Sequence, residues 1–388
     1  MGFCPCFGVE TSEQPPLADR DPVLLISGMG GSILQSKPKK FGLTTRVWVR
    51  IFLADLEFRK KIWSIYNPET GYTEALDTKS ELVVPEDDHG LYAIDILDPS
   101  WFVKCVHLTE VYHFHDMIDM LVGCGYVKGT TLFGYGYDFR QSNRMDKLMD
   151  GLKLKLETAY KASGGRKVNI ISHSMGGVMI LCFMSLCRDA FSKYVNKWIA
   201  LACPFQGAPG CINDSLLTGL EFVEGLKSYF FVSRWTFHQL LKYNGKLIPL
   251  PFNTTIFKWA TGTRQVISNA KLPNGVCFYN IYGTSFETPF DVCYGSEKSP
   301  IEDLSEICKT LPQYSYVDGD GSVPVESAKA DGLEAVERVG VTADHRGLLR
   351  DKTVFKLIQK WLDIEPVVSK HSKTSKVADA NTINPMVL

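Results

Sequence analysis

The chain has 388 residues, 45% of them hydrophobic and 22% charged, with a formal net charge of −1 at pH 7. Acids and bases are interspersed, which excludes the basic face of a nucleic-acid binder, and the apolar share is enough for a large core. The opening MGFCPCFGVETSEQPP has no basic stretch followed by an apolar run, so no secretory signal is expected, and no window is apolar for long enough to span a bilayer.

Eleven cysteines are scattered along the chain and are expected as thiols rather than disulfides. Cys4 and Cys6 stand too close for a zinc knuckle, and no metal is expected. Met1-Gly2 resembles the start of a myristoylation signal, but Cys6 occupies the position that needs Ser or Thr. Cys4 and Cys6 are weak sites for palmitoylation. Residues 1–20 are polar and proline-containing and read as a flexible arm.

Asp21 to Gly28, DPVLLISG, is a short apolar run stopped by glycine and predicts a buried strand. Residues 40–66 mix Trp48, Phe52, Phe58 and Trp63 with Arg46, Arg50, Arg59 and Lys60. This amphipathic stretch is either a surface helix on the core or a lid facing a membrane. TEVYHFHDMIDMLVGCGY predicts a helix, and residues 130–140 a strand and loop. Residues 141–163 predict a helix capped by Ser142 or Asn143, with Leu148, Leu152 and Leu156 on one face and a stop at Gly164-Gly165. VNIIS is the next strand, 175–187 the next helix and 197–204 another strand. Alternating strands and helices argue a mostly parallel α/β sheet. From about Gly210 to residue 275 the alternation breaks into an aromatic-rich cap, and strand pattern resumes at 276–283. The core then continues to residue 365, closing on a loop and helix within 340–362, and residues 366–388 form a polar, disordered tail.

VNIISHSMGGV, Val168 to Val178, carries the chemistry. A strand, a tight turn with serine at its tip and then a helix is the pattern of a nucleophile elbow. Ser172 and Gly176 occupy the two small positions around Ser174, with Ser in place of the usual first Gly. The competing reading is a strand-to-helix turn with no chemistry.

A serine hydroxyl needs a base, and the base needs an orienting carboxylate. In this fold class the order is Ser, acid, His. Three histidines follow Ser174: His238 in the cap, His345 in ADHRGLL, and His371 in the tail. His345 stands in the loop before the last helix and is the predicted base. YVDGDGSVP offers Asp320 as the acid, with Asp318 as the fallback. Each Asp-Gly pair also has a plain reading as turn chemistry. The oxyanion donors are expected to be the N–H groups of Met175, after the nucleophile, and Met29, in Gly28-Met29-Gly30-Gly31. That loop is not a phosphate cradle, because Ile33 replaces the third glycine and no lysine follows. His113 and His115 do not face the same way on a helix and are read as structural.

Nine stretches together resemble the lecithin:cholesterol acyltransferase family over nearly the whole chain: PVLLISGMGGSIL, RVWVRIFLADL, HGLYAIDILDPSW, YGYDFRQSNR, IISHSMGGV, PFQGAPGCINDS, FYNIYG, YVDGDGSVP and HRGLLRD. The likeness is greatest to its intracellular plant phospholipase A1 members. The resemblance implies an α/β-hydrolase core over 21–209 and 276–365, a lid near 40–66 and a cap over 210–275. It implies Ser174 as nucleophile, Asp320 as acid, His345 as base, and Met29 and Met175 at the oxyanion hole. It implies hydrolysis of the sn-1 acyl ester of glycerophospholipids such as phosphatidylcholine, without calcium or another cofactor, by a cytoplasmic protein peripherally attached to internal, microsomal membranes. The expected partners are the phospholipid and its membrane surface, with no nucleic acid and no obligate protein partner. In the family a segment of several tens of residues separates HQLL from the stretch like YNGKLIPLPFN, whereas here Leu241 runs into Lys242, so a shortened cap is expected. Two alternatives stay open: an acyltransferase using the same triad on a sterol or diacylglycerol, and an inactive lipid-binding form.

Overall fold

A computed structural model of the chain describes residues 20–49, 61, 62, 64–75, 77–101, 105, 109–209, 242, 243, 246, 247, 254–293, 295 and 313–366. In chain order the strands of the amino-terminal part are β1 (Val23–Ile26), β2 (Leu34–Pro38), β3 (Thr45–Trp48), β4 (Ser64–Tyr66), β5 (Thr73–Ala75), β6 (Ser80–Val83) and β7 (Leu132–Tyr135). Then follow β8 (Val168–His173), β9 (Val195–Leu201), the two-residue pair β10 (Lys242–Tyr243) and β11 (Lys246–Leu247), β12 (Cys277–Gly283), β13 (Phe286–Cys293), β14 (Gln313–Gly319) and β15 (Glu337–Val341). Six of these make one sheet in the order β15, β12, β9, β8, β1, β7, with every neighbouring pair parallel.

The central strands are apolar without alternation because both faces of the sheet are covered. Leu24, Ile26, Ile170, Trp198 and Ala200 enter one core, while Val23, Leu25, Ile171, Ile199 and Leu201 enter the other. Helices α2 (Asp146–Ala162) and α3 (Met175–Leu186) cover the first face, the former through Leu148, Leu152, Leu156 and Ala159. Helices α1 (His115–Gly123) and α7 (Lys352–Leu362) cover the second, the latter through Val354, Ile358, Trp361 and Leu362. Each such Leu, Ile or Val side chain contributes ~1.5–3 kcal/mol by leaving water. The Asp351 carboxylate caps α7 by accepting from Thr353 and Val354 N–H at 2.7 and 3.0 Å. The remaining helices among the described residues are α4 (Arg188–Tyr194), α5 (Thr254–Ser268) and α6 (Val325–Lys329).

Two helix starts differ from the sequence reading. Residues 109–114 are not part of α1: a single 3-10 turn spans Thr109–Val111, and His113 and Phe114 N–H donate to Asp95 and Ile94 carbonyls at 2.9 Å each. A neighbouring loop has captured those backbone groups, so the helix starts at His115. Helix α2 begins at Asp146 rather than at 141, and its cap is Met145 with no side-chain bond. Ser142 is engaged elsewhere, since its Oγ accepts from Trp259 Nε1–H at 2.7 Å.

The lid expectation falls chiefly on residues 50–60, outside the described residues. Of its flanks, Val47, Trp48 and Val49 are buried, so this end of the segment belongs to the core. The junction at 241/242 also falls at the edge of what is described, as does most of the cap. Within the span expected as a cap, the described elements are β10, β11 and α5, and α5 is tied to the core where Ser185 Oγ–H donates to Val266 O at 2.8 Å and the Arg144 guanidinium lies 3.7 Å from the Trp259 ring centroid.

Candidate active site

Strand β8 ends at His173 and α3 starts at Met175, leaving Ser174 alone in the turn. Its backbone sits at φ 54°, ψ −131°, a conformation that non-glycine residues avoid and that lifts the side chain out of the strand direction. The fit around it explains the small neighbours. A Cβ on Gly176 would lie 2.4 Å from the Ser27 carbonyl oxygen, and one on Gly28 would lie 2.7 Å from Ser174 Cβ. Ser172 in place of the first glycine is anchored, because its Oγ accepts from Trp198 Nε1–H at 2.9 Å.

His345 Nε2 stands 2.9 Å from Ser174 Oγ, and His345 Nδ1 stands 2.8 Å from Asp320 Oδ2. Asp320 is 1% exposed, and its other oxygen accepts from Ser322 and Val323 N–H at 2.9 and 2.6 Å. Burial, the largest influence, works to raise the Asp320 pKa. The His345 ring, its hydrogen bond, and the Val323 and Ser322 donors outweigh it, so the carboxyl titrates below its ordinary value. Asp320 is therefore an anion fitted to hold Nδ1–H and leave Nε2 facing the serine. The structure brings Ser174, His345 and Asp320 into one series from three loops. Asp318 lies outside that series, since its Oδ1 accepts from Ser285 N–H at 2.6 Å on the exposed side of β14. His238 and His371 lie outside the described residues.

The Gly28–Gly31 loop leans directly on the elbow. A Cβ on Gly28 would also lie 3.3 Å from Met175 N, so the backbone preceding Met29 sits beside the amide at the start of α3. Among the described residues neither Met29 N–H nor Met175 N–H has an acceptor. The loop is fixed from behind: Trp48 Nε1–H donates to Gly30 O at 2.7 Å, and Ser27 Oγ lies 2.6 Å from Ser32 Oγ. These supports leave no local period in the sequence. Trp48 in particular was expected with the lid.

His113 is buried and His115 half-buried, the latter 2.7 Å from Asp95 Oδ1. Among the described residues no group of three or more His, Cys, Asp or Glu side chains is disposed to hold a metal ion. A cavity of about 260 Å³, lined by Glu110, Tyr112, His113, Phe286 and Arg346 among others, flanks the base loop. A larger one of about 1020 Å³ opens between Leu82, Val84, Tyr135 and α2, away from Ser174.

A parallel sheet with helices on both faces, a strained serine between strand and helix, and the order Ser, Asp, His define an α/β-hydrolase. A family model described as lecithin:cholesterol acyltransferase matches residues 49–226. Among known relatives, an Arabidopsis thaliana protein named Phospholipase A(1) LCAT3 is 59% identical over 446 aligned positions, taking in 98% of this chain and 100% of the relative. Lecithin-cholesterol acyltransferase-like 4 of the same plant is 47% identical over 90% of this chain and 77% of its own. A Bos taurus protein named Lysosomal phospholipase A and acyltransferase is 26% identical over 81% of this chain and 83% of its own. The chain belongs to the lecithin:cholesterol acyltransferase family. The 446 aligned positions of the first relative exceed the 388 residues present, so that alignment leaves gaps in this chain.

Proposed function

We propose that the protein is a serine phospholipase A1 that needs no calcium, cleaving the sn-1 acyl ester of glycerophospholipids such as phosphatidylcholine. The observation that carries this is the series Ser174 Oγ, His345 Nε2, His345 Nδ1, Asp320 Oδ2 at 2.9 and 2.8 Å. The sn-1 position rests on the name of the Arabidopsis relative. Ser174 Oγ attacks the ester carbonyl while His345 Nε2 takes its proton. The N–H groups of Met29 and Met175 receive the oxyanion. Asp320 holds His345 Nδ1–H and stabilises the imidazolium. His345 then returns the proton to the departing lysophospholipid oxygen. Water enters, gives a proton to His345 as it attacks the acyl-enzyme, and His345 passes that proton to Ser174 Oγ as the fatty acid leaves.

The printed name of the Bos taurus relative favours a second reading of the last step. If an alcohol replaces water at the acyl-enzyme, the product is a new ester. The lid over 40–66, the cap over 210–275 and its shortening near 241/242 belong to this proposal as the walls that select acyl chain and acceptor. We also place the protein in the cytoplasm, peripherally on internal membranes. Cysteines 105, 124, 182, 187, 203 and 277 are free thiols, which supports a reducing compartment. Among the described residues no single helix is long and apolar enough to cross a membrane.

The test uses phosphatidylcholine vesicles with distinguishable sn-1 and sn-2 chains, in chelator, with the protein and its Ser174→Ala variant. The expected result is sn-1 fatty acid released by the protein alone. Folded, vesicle-bound protein that releases neither chain would overturn the hydrolase and leave a lipid-binding protein. An added sterol or diacylglycerol that diverts the acyl group into an ester would establish the transferase step.

A further inference from the structure

His173 stands between Ser172 and Ser174 at the end of β8, and only 2% of it is exposed. Its Nε2 lies 2.8 Å from the main-chain oxygen of His345. A carbonyl oxygen only accepts, so Nε2 carries the hydrogen and Nδ1 of the neutral ring is bare. Nδ1 is buried and has no hydrogen-bond partner among the described residues. The groups facing this ring are His345, with ring centroids 4.7 Å apart, His113, at 5.5 Å, and beyond them Asp320 and Arg346. Burial first, then the nearness of His345 and His113, holds the His173 pKa well below that of an ordinary histidine. Burial first, then Arg346 and His345, does the same to His113. Both rings are neutral at neutral pH, and neither opposes a positive charge arriving on His345.

His345 is thus gripped on both sides of its own main chain. Its N–H donates to Asp320 O at 2.8 Å, its carbonyl accepts from His173, and its Nδ1 meets Asp320 Oδ2. Ser174 and His345 are brought together by loops 171 positions apart. The His173 bond joins the main chain of the base loop directly to the nucleophile strand through a residue adjacent to the serine.

We propose that His173 is a positioning residue for the reaction: its Nε2–H holds the His345 carbonyl so that one imidazole reaches Ser174 and Asp320 together. The inference rests on the reading of Ser174, His345 and Asp320 as a catalytic triad. A displacement of about 1 Å in such a site costs on the order of 10²-fold in rate. Glutamine at 173 keeps an N–H of similar reach, leucine keeps bulk without a donor, and asparagine keeps an amide that falls short.

The experiment measures kcat, KM and the pH profile of kcat/KM on phosphatidylcholine vesicles. It compares the full chain with His173→Gln, His173→Leu and Ser174→Ala, each checked for folding by circular dichroism. The expected result is a loss of kcat of about 10²-fold in His173→Leu with little change in KM. The acid limb of kcat/KM should move to lower pH in the same variant, because a loosened His345–Asp320 pair stabilises the imidazolium less. His173→Gln should recover most of the turnover and the original limb. If His173→Leu does not fold, His173→Asn replaces it in the comparison with glutamine. A folded His173→Leu or His173→Asn with unchanged kcat and limb overturns the proposal. So does a folded His173→Gln that loses as much as the variant without reach. If Ser174→Ala itself releases fatty acid normally, the hydrolase reading falls and this one with it. If Ser174→Ala is silent while the other variants behave like the parent, only the role of His173 falls.

Discussion

Two histidine–aspartate contacts among the described residues are nearly alike on paper. His345 and Asp320 meet at 2.8 Å, and His115 and Asp95 meet at 2.7 Å. They differ in what surrounds them. The side chains of the first pair are 13% and 1% exposed, and those of the second are 28% and 29%. At the first, the other ring nitrogen faces Ser174 Oγ at 2.9 Å. At the second, it faces the Asp119 carboxylate at 3.7 Å, one helical turn along α1. A carboxylate there competes for the ring's proton and offers no nucleophile. The contact distance therefore says little about function. Burial, the third partner and the main-chain grip on His345 make the difference.

The sharpest way to break the comparison is to remove the third partner. Ser174→Ala should lower kcat on the order of 10⁶-fold with the fold unchanged, measured as fatty-acid release against a circular dichroism control. A smaller loss would mean that the buried pair serves some other group. Asp320→Asn comes next, at about 10⁴-fold, because an amide no longer fixes the His345 tautomer. It has a second signature. The folded-state pKa of Asp320 is depressed, so its charge stabilises the fold fully above the unfolded value of about 3.9 and that contribution is lost as pH falls through the folded value. In Asp320→Asn that part of the acid slope of thermal stability should vanish. A slope identical to the parent's would show that the ionised carboxylate is not favoured by its neighbours.

A smaller effect is expected where the grip on the oxyanion loop is loosened. Trp48→Phe keeps the ring's bulk but deletes the donor to Gly30 O, leaving that buried carbonyl short of a partner. The expected cost is about 1–3 kcal/mol of stability, read from denaturant midpoints. Turnover should fall more than KM changes, since the donor role proposed for Met29 N–H matters chiefly once negative charge has formed on the substrate oxygen. A variant that loses stability with kcat untouched would make Trp48 a core residue and nothing more.

The parts of this arrangement that sequence reveals are those written into a continuous stretch. β1, β8 and β9 are legible because strands buried on both faces are unbroken apolar runs, and the elbow is legible because steric crowding around Ser174 demands small neighbours. Chain order narrows the base to three histidines, and the place before the last helix picks out His345. The supports are illegible for a physical reason. Trp48 with Gly30, His173 with His345 and Ser142 with Trp259 are single contacts between distant positions, which create no period and no composition shift. The misplaced start of α1 has the same origin: His113 and Phe114 have good helical neighbours, but their N–H groups are taken by Asp95 and Ile94. His115 itself is legible only as a histidine, and nothing local tells it apart from a catalytic one.

The smallest expected effect is the one that tests the other half of the comparison. Asp95→Asn leaves the Asp95 main chain in place, so His113 N–H keeps its acceptor and only the ion-pairing oxygen changes. At a pH where His115 is protonated, a pair of such partly exposed side chains contributes ~0–1 kcal/mol, with solvent screening most of its Coulomb attraction. The loss should shrink further in about 1 M salt, where the screening length falls to about 3 Å. Turnover should equal that of the parent, because neither Asp95 nor His115 touches Ser174, His345 or Asp320. The route by which it could fail is specific: His115 lies two positions from His113, whose ring packs against His173. If Asp95→Asn shifts the acid limb of kcat/KM as His173→Leu is expected to, the two histidine–aspartate pairs are coupled through that stack and act as one site.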